Sequence, residues 1–122
     1  MIDFENGSIF KLRKSDGAGK EVEQLLIPGE VIIGSYKGIR DFVTFTNKRV
    51  IAVNVQGVTG KKKDYTSLPY SKVQTFSIET SGVFDLDSEL ELWFSSVGLI
   101  TFEFTGNSDI VKIGQAISSF IL

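Results

Sequence analysis

The sequence predicts a mainly β domain of seven antiparallel strands closed by one C-terminal α-helix, and three observations carry that reading. From Val31 onward, β-rich runs are separated by turn residues every eight to twelve positions, which is the spacing of an all-β barrel or sandwich. Within those runs apolar and polar residues alternate, as strands with one buried face require. After Thr105 the period lengthens to that of a helix.

Taken in order, residues 13–20 (RKSDGAGK) read as a flexible turn. Glu21 to Ile27 can form a short helix with Val22, Leu25 and Leu26 on one side, before Pro28 and Gly29 stop it. Residues 1–27 are therefore an N-terminal segment ahead of the strands, which span 31–105. These lie at 31–36 (VIIGSY), 41–46 (DFVTFT), 49–55 (RVIAVNV), 62–67 (KKDYTS), 72–79 (KVQTFSIE), 88–95 (SELELWFS) and 98–105 (GLITFEFT).

The last two strands pair most clearly. Leu90, Leu92 and Phe94 share one face, and Ile100, Phe102 and Phe104 share the matching face across the Ser95 to Gly98 turn. Those six residues are core. The other face carries Glu89, Glu91, Trp93, Leu99, Thr101 and Glu103, an acidic surface with two large apolar side chains. It is either a contact surface or a face covered by the chain's own N-terminal segment.

The closing helix spans 108–121. Asn107 or Ser108 can cap it, Asp109 suits its positive end, and Ile110, Ile113, Ile117, Phe120 and Ile121 recur at helical spacing. A barrel of short strands leaves an open end, so this apolar stripe is most readily buried as a plug. Gly114 lies on the stripe and allows close approach to a strand. No linker, repeat or low-complexity tract interrupts the chain, so residues 1–122 read as one domain.

At 122 residues and 13.5 kDa, such a domain buries roughly two thirds of its unfolded surface and needs neither disulfide nor metal. The absence of His and Cys removes imidazole bases, thiol nucleophiles and the common zinc, haem and iron–sulfur ligands. No enzyme, cofactor or metal site is expected. The longest strongly apolar stretches, Leu25 to Ile27 and Val31 to Ile33, fall far short of the roughly 18–20 residues of a membrane-spanning helix. The N-terminus lacks the pattern of a secretory signal. A cytoplasmic location is the expectation.

The net charge of −2 conceals a sorting along the chain. Residues 1–36 carry four basic and six acidic side chains, residues 37–72 eight and two, and residues 73–122 one and seven. If basic and acidic parts occupy different faces, one copy complements another, or each face takes its own partner. Solvated loops of either sign are the plainer reading.

The run Gly57 to Lys63 (GVTGKKK) invites a phosphate-loop reading, but Val55 and Lys62 stand where that motif needs Gly and Ser or Thr. It reads as a hairpin turn with three lysines. Lys37 and Arg40 occupy the turn between the first two strands, and strand alternation puts it at the same end as Lys61, Lys62 and Lys63. Together these five cations make a basic rim fit for an acidic protein surface or a phosphorylated headgroup. The lack of regular aromatic and basic alternation argues against nucleic acid. Asp85, Asp87, Glu89 and Glu91 alternate along a strand and its lead-in. They form either a solvated acidic face or one that docks a neighbour's basic rim, with Trp93 and Leu99 beside them.

The segments YKGIRD (36–41), FTNKRVI (45–51), QGVTGKKKDYTSLPYS (56–71) and FSIETSGVFDLDSELELWF (76–94), in this order, resemble the bacterial pleckstrin-homology domain family. The likeness runs from about Leu26 to Leu122. It implies a PH-like, strongly bent barrel of seven strands in two near-orthogonal sheets, capped by the C-terminal helix. It further implies a cyclic homo-oligomer, a pentameric ring in single-domain members, with a hydrophilic surface that binds other proteins. It implies no lipid site, because of the longer basic pattern of eukaryotic PH domains only Lys37 and Arg40 are present, followed by Asp41.

The expected function is thus a non-enzymatic interaction module that assembles with itself. Its candidate surfaces are Lys37, Arg40 and Lys61 to Lys63 on one side, and Asp85, Asp87, Glu89, Glu91, Trp93 and Leu99 on the other. The alternative is a peripheral binder of anionic lipid or a phosphorylated ligand through the basic rim.

Overall fold

The structure is a computed structural model that describes Met1, residues 9–84 and residues 86–122. Its elements are β1 (Ile9–Lys14), β2 (Ile32–Lys37), β3 (Asp41–Thr46), β4 (Arg49–Gln56), β5 (Lys62–Pro69), β6 (Val73–Glu79), β7 (Ser88–Phe94), β8 (Gly98–Phe104) and α1 (Ile110–Ile121). The strands form one curled sheet in the order β5-β4-β3-β2-β1-β8-β7-β6. The mainly β architecture with a closing helix is the one the sequence predicts. The seven expected strands are β2 to β8, and the eighth is β1.

β1 accounts for the differences from the expected barrel. Phe10 and Leu12 point into the core while Lys11 and Arg13 point out, the alternation of a half-buried strand. Ile9 to Leu12 pair with β8 in parallel, whereas Arg13 and Lys14 pair with β2 antiparallel. One strand therefore joins the two halves of the bent sheet, β2 to β5 and β6 to β8, and supplies a parallel pair among antiparallel ones.

Residues 13–20 are not a flexible turn. Arg13 and Lys14 complete β1, and Asp16–Glu21 forms a 3-10 helix with Ala18 and Gly19 buried. A second 3-10 turn, Glu23–Leu25, replaces the helix expected at Glu21 to Ile27. Two glycines, 17 and 19, weaken any longer helix. Close approach decides the path, since a Cβ on Gly19 would lie 2.7 Å from Ser35 Oγ. Val22, fully buried, packs with Ile51 and Val53 in a small cluster apart from the main core.

The main core is built as the alternation predicts. Leu90, Leu92, Phe94, Ile100, Phe102 and Phe104 are all buried, with Leu92 opposite Ile100 and Leu90 opposite Phe102. Phe45 meets Phe102 edge-on at 5.2 Å, and Phe10 stacks on Phe102 at 5.3 Å, geometries favoured by the ring quadrupole.

The free edges of the curled sheet are β5 and β6, joined by the 3-10 turn Tyr70–Lys72. Helix α1 packs on that turn, on β6 and on β2, β3 and β7, and buries Ile110, Ile113, Gly114 and Ile117. Phe120, placed on the stripe by its spacing, is half exposed and leans edge-on against Tyr70. The N-cap is Asp109 rather than Asn107 or Ser108. Its carboxylate accepts from the Tyr36 hydroxyl, and its backbone N–H donates to that same hydroxyl at 2.8 Å. A buried tyrosine thus fixes where the helix starts.

Candidate functional site

β2 and β4 both run against β3, so the β2–β3 and β4–β5 turns leave the sheet at one end. The structure ties them together. Arg40 donates from Nη2 to the Gly57 carbonyl at 3.1 Å, and the Val55 N–H donates to the Arg40 carbonyl at 3.1 Å. Lys37, Arg40, Lys61 and Lys62 are exposed around this junction. Lys63 is not part of it. Adjacent strand residues face opposite ways, and Lys63 instead donates to Glu21 Oε2 at 2.7 Å, pinning β5 to the first 3-10 helix.

At the tips of the same turns stand Ile39 and Val58, 99% and 107% exposed. Neither was singled out in the sequence, where each is one apolar residue in a polar turn. Asp41, at the base of the first turn, has its carboxyl pushed up by burial against the pull of Arg40, and it accepts from Asn54 Nδ2.

The acidic residues lie on the outer face of β6, β7 and β8. Glu79, Glu89 and Glu103 are cross-strand neighbours in one row. Burial and the charges of Glu79, Glu91 and Glu103 raise the Glu89 carboxyl above its ordinary range. Glu91 sits in the next row between Ser77 and Thr101, and accepts from Ser77 Oγ at 3.2 Å. One row further, Trp93 and Leu99 are register partners and are 46% and 42% exposed. Glu89, Glu91 and Trp93 therefore share a face, as their alternation implies. Asp87 is half-buried in the lead-in to β7, and Asp85 lies outside the described residues. The N-terminal cover considered for Trp93 would involve residues 2–8, which also lie outside them.

The β6–β7 loop adds an apolar feature that sequence reasoning passed over. Val83, Phe84 and Leu86 are all strongly exposed, Phe84 completely. The loop follows the C-terminal end of β6. In register, the end of β6 at Glu79 lies in one row with Glu89, Glu103 and Lys11, two residues along β1 from Arg13, the partner of Lys37.

β1 extends the basic region. Arg13 is the register partner of Lys37, and Lys11 that of Glu103. The outer face thus passes from cations on β2 and β1 to carboxylates on β8, β7 and β6. Among the described residues, no helix is long and apolar enough to cross a membrane.

Comparison with known proteins agrees with this architecture. The family model for the bacterial PH domain matches residues 3–121. The uncharacterised protein YjqA of Bacillus subtilis strain 168 is 39% identical over 102 residues, 82% of each chain. YozO of the same strain, also uncharacterised, is 34% identical over 113 residues, 93% of this chain and 96% of its own. Among solved structures, a DUF1696 family protein with a pleckstrin-homology domain from Shewanella loihica PV-4 superposes with a TM-score of 0.71 at 37% identity. That alignment covers 93% of this chain and 99% of the other.

Proposed function

The chain belongs to the bacterial PH domain family, and from that premise we propose that it is a non-enzymatic interaction module of the cytoplasm that assembles head to tail with copies of itself. The observation that carries this reading is the pairing of opposite charge with exposed apolar side chains at separate places on one molecule. The basic turns present Ile39 and Val58 among Lys37, Arg40, Lys61 and Lys62. The β6–β7 loop, on the far side of β7 and β8 from β1, presents Val83, Phe84 and Leu86 next to the glutamates of β6, β7 and β8. Apolar anchors ringed by complementary charge are the usual make-up of a specific contact. Two different patches meeting give a heterologous contact, which closes into a ring when the rotation allows; the pentamer implied by the family resemblance is such a closure. A further protein partner would use the polar faces left free.

Size-exclusion chromatography with light scattering, at low and high salt, tests the reading. A discrete oligomer that weakens as salt screens the charges supports it. A monomer under both conditions at micromolar concentration removes it.

Ile39 and Val58 favour a second reading, in which fully exposed apolar tips among cations rest on an anionic membrane surface. Sedimentation with vesicles separates the two, because the assembly reading has no dependence on anionic lipid.

A further inference from the structure

A cleft of about 550 Å³ opens on the convex side of the sheet, beside β1. It exists because β1 changes neighbours: after Leu12 it leaves β8 and turns to β2, so the end of β8 and the β2–β3 turn splay apart around it. Four cations line it, Lys11, Arg13, Lys14 and Lys37, with Ser15 and Thr105 also in the wall and no acidic residue among the described ones.

Among the described residues, only Lys14 of these four has an ion pair, although Lys11 stands in register with Glu103. Lys14 has a carboxylate, Asp109, at 3.3 Å, but that group also accepts from Tyr36. Lys11, Arg13 and Lys37 have no ion pair among the described residues; the nearest ring to Lys37 is Phe42, at 5.9 Å. Arg13 and Lys37 stand directly opposite each other across the strand pair, and like charges in that relation destabilise a sheet. An arrangement that costs stability when empty is relieved by an anion placed between them.

We propose that this cleft binds a phosphate group, as a phosphate ester whose organic part fills the remaining volume. Arg13 offers planar paired donors suited to a phosphate, while Lys11 and Lys37 add point charges. The cleft is larger than a bare phosphate requires, which is why an ester fits better than the inorganic ion. The cleft shares Lys37 and Ile39 with the basic turns of the proposed assembly surface, while Lys11, Arg13 and Lys14 on β1 lie apart from the rim at Arg40, Lys61 and Lys62.

The test is titration of the full chain with inorganic phosphate and with glycerol 3-phosphate, at ionic strength held constant with chloride. It is followed by amide shifts at Ser15, Gly38 and Thr105 and by melting temperature. Saturable shifts at those amides are expected, with glycerol 3-phosphate binding more tightly than phosphate. R13Q and K37Q should each weaken binding about tenfold, the loss of one charge-assisted contact, while K62Q leaves it unchanged. R13Q should also melt higher than the wild type without phosphate, because it relieves the opposed pair.

Phosphatidylcholine vesicles with and without phosphatidic acid identify the source of the phosphate. Sedimentation that R13Q abolishes points to a lipid headgroup, and solution binding without sedimentation points to a soluble ester. No saturable effect beyond the chloride control, or equal weakening by K62Q, overturns the proposal.

Discussion

Arg49 grips Glu30 with two hydrogen bonds, Nε to Oε2 at 2.9 Å and Nη2 to Oε1 at 3.0 Å, and so ties the start of β4 to the segment entering β2. The Glu30 side chain is completely buried, and it also accepts from Thr46 Oγ1 and the Ile27 N–H. Burial alone would raise its carboxyl, but the bonds from Arg49, Thr46 and Ile27 together hold it below the ordinary value of 4.5.

Glu30→Gln should therefore destabilise the fold by roughly 3 kcal/mol at pH 7, since it leaves a partly buried guanidinium without its counter-charge. A carboxylate held low contributes stability above its unfolded pKa and loses it as pH falls through its folded value. Urea unfolding at pH 7 and at successively lower pH should show the wild type and E30Q converging. A gap that stays constant through acid would contradict the ionic role.

Glu89 has the opposite sign. Its carboxyl is raised by burial and by Glu79, Glu91 and Glu103, so the folded chain holds this proton more tightly than the unfolded one. Its contribution is lost as pH rises from the ordinary value of 4.5 through the folded value. Glu89→Gln should leave melting temperature unchanged well below that window and raise it above. Equal melting curves at pH 7 would show that the row of glutamates carries no strain.

Tyr36→Phe removes the hydroxyl that both accepts from the Asp109 N–H and donates to its carboxylate. The expected cost is roughly 1–3 kcal/mol, because a part-buried donor at the helix start loses its partner. Hydrogen exchange should rise first at the N-terminal turn of α1. Unchanged protection there would mean that packing of Ile110 and Ile113 alone seats the helix.

Gly114 allows α1 to lie close against β6, where a Cβ would collide with the terminal methyl of Ile78. Ile78 is on an exposed edge strand, so its end can swing aside. In the wild type, Gly114→Ala should be nearly neutral, the helix-propensity gain of about 1 kcal/mol offset by that displacement. In an Ile78→Ala background the same change should stabilise by about 1 kcal/mol, measured as a double-mutant cycle.

Phe84→Ser tests the contact proposed for the β6–β7 loop. The side chain is fully exposed, so thermal stability of the separated protomer should not move. Self-association should weaken about thirtyfold, the loss of an aromatic anchor of about 2 kcal/mol. An oligomer of unchanged size and affinity would place the interface elsewhere.

The alternation of Leu90, Leu92 and Phe94 against Ile100, Phe102 and Phe104, and the helical spacing of Ile110, Ile113 and Ile117, were legible because one buried face imposes its period on the residues themselves. The same alternation runs through Phe10, Lys11, Leu12 and Arg13. It is too short a run to stand out beside a glycine-rich segment, and its partners lie far along the chain. Local pattern thus determined the mainly β class, the hairpin of β7 and β8, the plugging helix and the clustering of charge.

Tertiary structure alone decided which charges meet. Lys61, Lys62 and Lys63 are consecutive, yet Lys63 turns away to Glu21 while Arg40 joins Gly57. Arg13 faces Lys37 only because β1 changes partners beneath the β2–β3 turn. Sequence determines what each residue prefers to bury, since that preference is local. Which side chains become neighbours across strands depends on register and strand order, which are properties of the assembled sheet.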